Sequence, residues 1–115
     1  MGKVQVIHFK PRKTFENDLS RLSKLDITII DEIRSAIDLL LENGALPEEY
    51  ADHALSRKWA GYREFHVRDA IKGETPTDMN AVLVIYRWDL DDLVLVGVRA
   101  GSHNRLFDGS NSKYK

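Results

Sequence analysis

Residues 81–100 read Ala-Val-Leu-Val-Ile-Tyr-Arg-Trp-Asp-Leu-Asp-Asp-Leu-Val-Leu-Val-Gly-Val-Arg-Ala. Two runs rich in Val, Leu and Ile flank the acidic turn Asp89-Leu90-Asp91-Asp92, so Ala81 to Trp88 and Leu93 to Ala100 are expected to be neighbouring strands. Upstream, Tyr62 to Arg68 predicts a third strand, with Tyr62, Glu64, His66 and Arg68 on one face and Arg63, Phe65 and Val67 on the other. The polar stretch from Asp69 to Asn80, interrupted by Gly73 and Pro76, reads as a long hairpin loop.

Toward the N-terminus the period changes from two to 3.6. Phe15, Leu19 and Leu22 recur at helical spacing. Ile30, Ile33, Ile37, Leu40 and Leu41 form the apolar stripe of a longer helix whose wet side carries Asp31, Arg34, Ser35 and Asp38. Asp26 or Thr28 is suited to cap its start, and Asn43-Gly44 followed by Pro47 to end it. Before the helices, Val4, Val6 and His8 alternate with Gln5 and Ile7 as a first strand closed by Lys10-Pro11. Residues 45–61 read mainly as a connection that holds His53 and Trp59. The order β-α-α-β-β-β has no alternating crossover rhythm, which predicts an α+β fold: a small antiparallel sheet with two N-terminal helices packed on one face.

At 115 residues and 43% hydrophobic, the chain is sized for one core. We expect a single domain over 1–108 and a flexible tail over 109–115. There is no cysteine, which excludes disulfides, thiolate nucleophiles and cysteine zinc sites, and fits a reducing cytoplasm. No apolar run is long enough to cross a bilayer, so no membrane partner is expected. The net charge of −1 hides segregation. Residues 14–52 carry ten acidic groups against three basic ones, whereas 53–72 carry five basic against two acidic and 99–115 four against one. Local sign governs which surface attracts a polyanion.

Those basic segments hold three of the four histidines: His53 after Asp52, His66 after Arg63-Glu64-Phe65, and His103 ahead of Asn104-Arg105-Leu106-Phe107. Cleaving a phosphodiester by its neighbouring ribose 2′-hydroxyl takes a base, an acid and a cation near the phosphate. Histidine serves in both proton roles near neutrality because its unperturbed pKa is about 6.5. Arg63 and Arg105 are the phosphate-binding candidates by charge, and Phe107 is either a ring on which a base can stack or, with Leu106, a residue that closes the edge of the core. Spacings from His53 to His66 to His103 match no zinc motif, so no metal and no cofactor is expected. A glycine-rich phosphate loop and a Gly-x-Ser-x-Gly elbow are both absent from the sequence.

Taken in order, Asp52-His53-Ala54-Leu55, Trp59-Ala60-Gly61-Tyr62-Arg63-Glu64-Phe65-His66-Val67, Leu83-Val84-Ile85-Tyr86 and Gly101-Ser102-His103-Asn104-Arg105-Leu106-Phe107 resemble the YafQ branch of the RelE/ParE superfamily of bacterial type II toxins. The resemblance covers residues 3–108. It implies a RelE-like fold and an endoribonuclease that cuts mRNA in the A site of the ribosomal 30S subunit and is held inactive by a cognate antitoxin. Operator DNA would be a partner only through the antitoxin complex. Carried over by motif, His53, Glu64, His66, His103 and Phe107 match the family's functional positions, with His103 expected as general acid, His66 as general base, Glu64 orienting it or sharing that role, and His53 assisting or holding the phosphate. Glu64 stands where the family often has Asp. A second acidic position precedes the Leu83-Val84-Ile85-Tyr86 strand in the family, and Asp69 or Asp78 is the candidate for it here. Two other readings stay open from sequence: a non-enzymatic ParE-like toxin that binds a topoisomerase, and an inactive toxin that serves as corepressor with its antitoxin.

Overall fold

A computed structural model of the chain describes residues 6–107. The proposed 109–115 tail and the first residues of the expected N-terminal strand lie outside the described residues. In chain order the elements are β1 (His8–Pro11), α1 (Lys13–Leu25), α2 (Thr28–Asn43), β2 (His53–Ala54), β3 (Arg63–Arg68), β4 (Val82–Asp89), β5 (Val94–Gly101) and α3 (His103–Phe107). Five strands form one sheet in the order β1-β5-β4-β3-β2. The α+β class and the placement of α1 and α2 on one face agree with the sequence reading. The sheet is mixed, however: β1 runs parallel to β5, with His8 opposite Val94 and Pro11 opposite Gly97, and all other pairs are antiparallel.

Central strand β4 is buried on both faces, which explains its unbroken run of apolar residues. Val82, Val84 and Tyr86 face the helices and meet Phe15 and Leu22 of α1, Ile29, Ile33, Ala36, Ile37 and Leu40 of α2, and Phe65 of β3. The inner stripe of α2 therefore opens at Ile29, and Ile30 sits partly buried beside it. Leu83 and Ile85 face the other way and pack with Val98 and with Leu106 of α3, under a cover of Leu55, Trp59, Tyr62 and Phe107. This second, smaller core fixes α3 on the face opposite α1 and α2.

Asp26 accepts hydrogen bonds from the Thr28 amide at 3.0 Å and hydroxyl at 2.6 Å, which holds the turn into α2. Gly44 ends α2 in the left-handed region at φ 74, the conformation that glycine adopts without penalty.

Two irregularities re-aim side chains. Between Ile85 and Tyr86 of β4 the register to β5 shifts, so Leu95 and Ala100 reach the same core although their spacing is odd. A second shift lies between His66 and Arg68. Arg68 was expected on the face of Glu64 and His66; the bulge turns it to the helix side. There it forms a fork with Glu32 at 2.8 and 2.8 Å, pairs with Asp26 at 3.2 Å and donates to the Met79 carbonyl at 2.8 Å. The alternation ends because two residues of β3 now span one step of β4.

Candidate active site

The site is built outward from β3. Residues directly opposite in an antiparallel pair share a face, and His53 of β2 lies opposite Glu64, which lies opposite Ile85, while His66 lies opposite Leu83. His53, Glu64 and His66 therefore occupy the face that α3 covers. The two-residue strand β2 was not foreseen from sequence, yet it is what sets His53 beside Glu64. Asp52 anchors it: its carboxylate accepts from the Tyr86 hydroxyl at 2.8 Å and from Nε of Arg63 at 3.2 Å. Burial, and then the Asp52 charge, push the Tyr86 phenol above its ordinary pKa, so it remains a donor.

Glu64 is buried, and one of its oxygens, Oε2, is shared by Nε2 of His53 at 3.4 Å and Nε2 of His66 at 3.5 Å. The two rings are 6.4 Å apart. Each ring is held from its other nitrogen. His53 Nδ1 donates to the Ala51 carbonyl at 2.7 Å, and His66 Nδ1 donates to Asp69 at 2.6 Å. Those contacts require a proton on Nδ1 of each ring and leave each Nε2 facing the Glu64 carboxylate. His66 thus sits between two carboxylates, Asp69 at Nδ1 and Glu64 at Nε2.

His103 opens α3 on the same face and is exposed, with its ring 5.0 Å from that of Phe107. Phe107 in turn meets Trp59 edge-on at 6.0 Å. Ser102 begins the helix: its carbonyl accepts the Leu106 amide at 3.0 Å and its hydroxyl the Arg105 amide at 3.3 Å. The helix is tied down by Asp78, which accepts from the Ser102 amide at 2.9 Å and from Nε of Arg105 at 2.7 Å. Arg21 links Asp78 to Asp18, and Asp18 to Arg99, so charges alternate without a break in the order Arg105, Asp78, Arg21, Asp18, Arg99. Burial works against the Asp78 charge, but the Ser102 amide, Arg105 and Arg21 outweigh it and hold that carboxyl below the usual carboxylate range.

The structure thus brings His53, Glu64 and His66 into contact and places His103 and Phe107 on the same face. The two arginines selected by charge are otherwise engaged: Arg63 with Asp52 and Tyr86 on the strand's other side, and Arg105 with Asp78. Both candidates for the second acidic position have partners, Asp69 on His66 and Asp78 on α3. Asp18, Arg21 and Arg99 escaped the sequence reading, because pairing between α1 and β5 has no local signature. Among the described residues, no three His, Cys, Asp or Glu groups are arranged to hold a metal ion, and no helix is long and apolar enough to cross a membrane.

A mixed five-stranded sheet with two helices on one face and a short third helix, α3, on the other places the chain in the α+β class. Residues 7–108 match the family of YafQ, the bacterial toxin of a type II toxin-antitoxin system, and the chain belongs to that family. A YafQ toxin relative from Haemophilus influenzae is 41% identical over 58 residues, which are 49% of this chain and 57% of that protein. The matched stretch therefore spans little more than half the length of that curated relative. A crystal structure of an Escherichia coli YafQ mutant superposes with a TM-score of 0.68 at 25% identity, covering 88% of this chain and 98% of that one. The toxin in the E. coli DinJ-YafQ toxin-antitoxin complex gives a TM-score of 0.67 at 25% identity over 90% of this chain and 99% of its own.

Proposed function

We propose that this chain is the toxin of a type II toxin-antitoxin pair and an endoribonuclease that cleaves mRNA in the ribosomal A site by histidine acid-base catalysis. The observation that carries the reading is the Glu64 oxygen shared by His53 and His66, with Asp69 on the far side of His66. In this mechanism Nε2 of His66 removes the proton from a ribose 2′-hydroxyl, whose oxygen attacks the adjacent phosphorus. As the bond from phosphorus to the 5′-oxygen breaks, His103 gives that oxygen a proton. The products are a 2′,3′-cyclic phosphate and a free 5′-hydroxyl. Glu64 and Asp69 stabilise the imidazolium formed at His66, and His53 assists at the phosphate. Phe107 stacks beside the acid.

A partner antitoxin follows from the family and from the DinJ-YafQ complex of the relative. Through that antitoxin the pair would contact operator DNA, and the site of action would be the cytoplasm, where mRNA and ribosomes are. Primer extension on mRNA from cells that express the chain, with and without His103→Ala, tests the proposal. In-frame cleavage that disappears with the substitution is expected; intact mRNA with the unaltered chain would refute it.

A further inference from the structure

Beyond Phe107, on the side away from the β3 histidines' carboxylate cluster, the surface opens into a cleft of about 680 Å³ whose lining includes Arg12, Arg57, Lys58, Trp59, Tyr62 and Phe107. That volume falls within the roughly 300–1,000 Å³ usual for ligand sites. None of the first five belongs to the proton-transfer machinery described above. The cleft joins that machinery at one ring, since Phe107 lines it and also lies 5.0 Å from the ring of His103.

We propose that this cleft is a nucleotide subsite of the same enzyme, holding a base and phosphate of single-stranded RNA next to the scissile bond; the inference rests on the RNA-cleavage reading. The floor is aromatic and pre-arranged. Trp59 packs edge-on against Tyr62 at 5.3 Å and against Phe107 at 6.0 Å, so Trp59 is braced from two sides and three rings contribute to the lining against which a base can stack. The rim is cationic. Arg12 donates to the Tyr62 hydroxyl at 3.3 Å and lies 5.6 Å from the ring centre. Arg57 adds a guanidinium that makes no side-chain hydrogen bond or ion pair among the described residues. Its backbone is held at φ 57, a conformation rare for a side chain of its size.

The acid in the cleft, Asp18, is already neutralised by Arg99 at 2.7 Å and Arg21 at 2.6 Å, so it does not offset the rim. Aromatic rings beside guanidinium groups are the recognition chemistry of a stacked base flanked by phosphate. An acidic peptide would use the cations and leave the rings without a partner, which is why RNA is the occupant chosen.

Trp88→Phe in the full chain leaves Trp59 as the only indole, because the sequence has two tryptophans. The probe is a hexauridylate methylated at every ribose 2′-oxygen, which binds but has no 2′-hydroxyl to attack with. Saturable quenching of Trp59 emission that weakens with salt is expected. In the same background, Arg57→Ala is expected to raise Kd roughly threefold and to lower the slope of log K against log salt by about 0.7, with an unchanged thermal melt. Unchanged Trp59 emission from a chain that still cleaves mRNA would overturn the subsite alone. Quenching by a glutamate hexapeptide but not by RNA would overturn it in favour of a peptide groove. Quenching by RNA in a chain that leaves mRNA intact would keep the subsite and remove the cleavage reading, and loss of both signals would overturn both.

Discussion

The Asp69 carboxylate accepts a hydrogen bond from Nδ1 of His66 at 2.6 Å, and both residues border the β3–β4 loop. Further along that loop, Asp78 accepts the Ser102 amide at the start of α3. One loop thus supplies the support for two histidine-bearing elements that are far apart in sequence.

Asp69→Asn keeps an oxygen near His66 and removes the charge that stabilises an imidazolium. We expect kcat to fall about 10- to 100-fold with KM unchanged, because the carboxylate acts as proton transfer occurs. Single-turnover cleavage of a translated mRNA measures it. An equal loss in KM would show that Asp69 serves binding instead.

His66→Gln and Glu64→Ala act on one contact, so their effects should not multiply. Each alone is expected to slow cleavage by roughly 10²–10³, and the pair by little more than the worse single. Full multiplication in a double-mutant cycle would separate them. His103→Ala, exposed on α3, should leave the melt intact and slow cleavage by roughly 10²–10⁴.

Asp78 sets an acid limit on stability. Its folded-state pKa lies below the ordinary aspartate value of 3.8, so its contribution is fully present above that value and is lost as pH falls through the lower, folded value. The Tm gap between the unaltered chain and Asp78→Asn should be constant above pH 4 and narrow below it. Near neutrality the gap should be on the order of 10 °C, from the loss of about 2 kcal/mol of charge-assisted hydrogen bonding. A gap independent of pH down to 2 would refute the assignment.

Gly97 lies where β1 meets α1. A Cβ there would come within 2.7 Å of Cζ of Phe9 and 3.1 Å of Cδ2 of Phe15, both aromatic rings that brace each other at 5.6 Å. Gly97→Ala should cost about 1–3 kcal/mol, read as a lower midpoint in urea with an unchanged slope.

The helices and the three long strands were legible because their apolar periods differ and because both faces of β4 are covered. Glu64 and His66 sharing a face was legible for the same reason. Arg68 was not, because a bulge is a property of two strands and leaves no mark on either alone. The parallel pairing of β1 escaped for a related reason: alternation in Val6, His8 and their neighbours shows a strand but says nothing of its direction. Among site residues, the histidines stood out by type, while the cleft and the ion-pair chain from Arg105 to Arg99 depend on residues brought together only by folding. Arg63 and Arg105 have the charge that suggested phosphate contact, and both are spent on carboxylates that position β2 and α3.

The pairing of His8 with Val94 has a bearing on the order in which the sheet can be completed. The edge strand must wait for nearly the whole chain before it has a neighbour, and closing so long a loop is a late and slow event. His103 arrives later still. Until residues 94–97 have emerged, a growing polypeptide therefore has β1 without its neighbour, and α3, with His103, is added to the sheet's other face only after that.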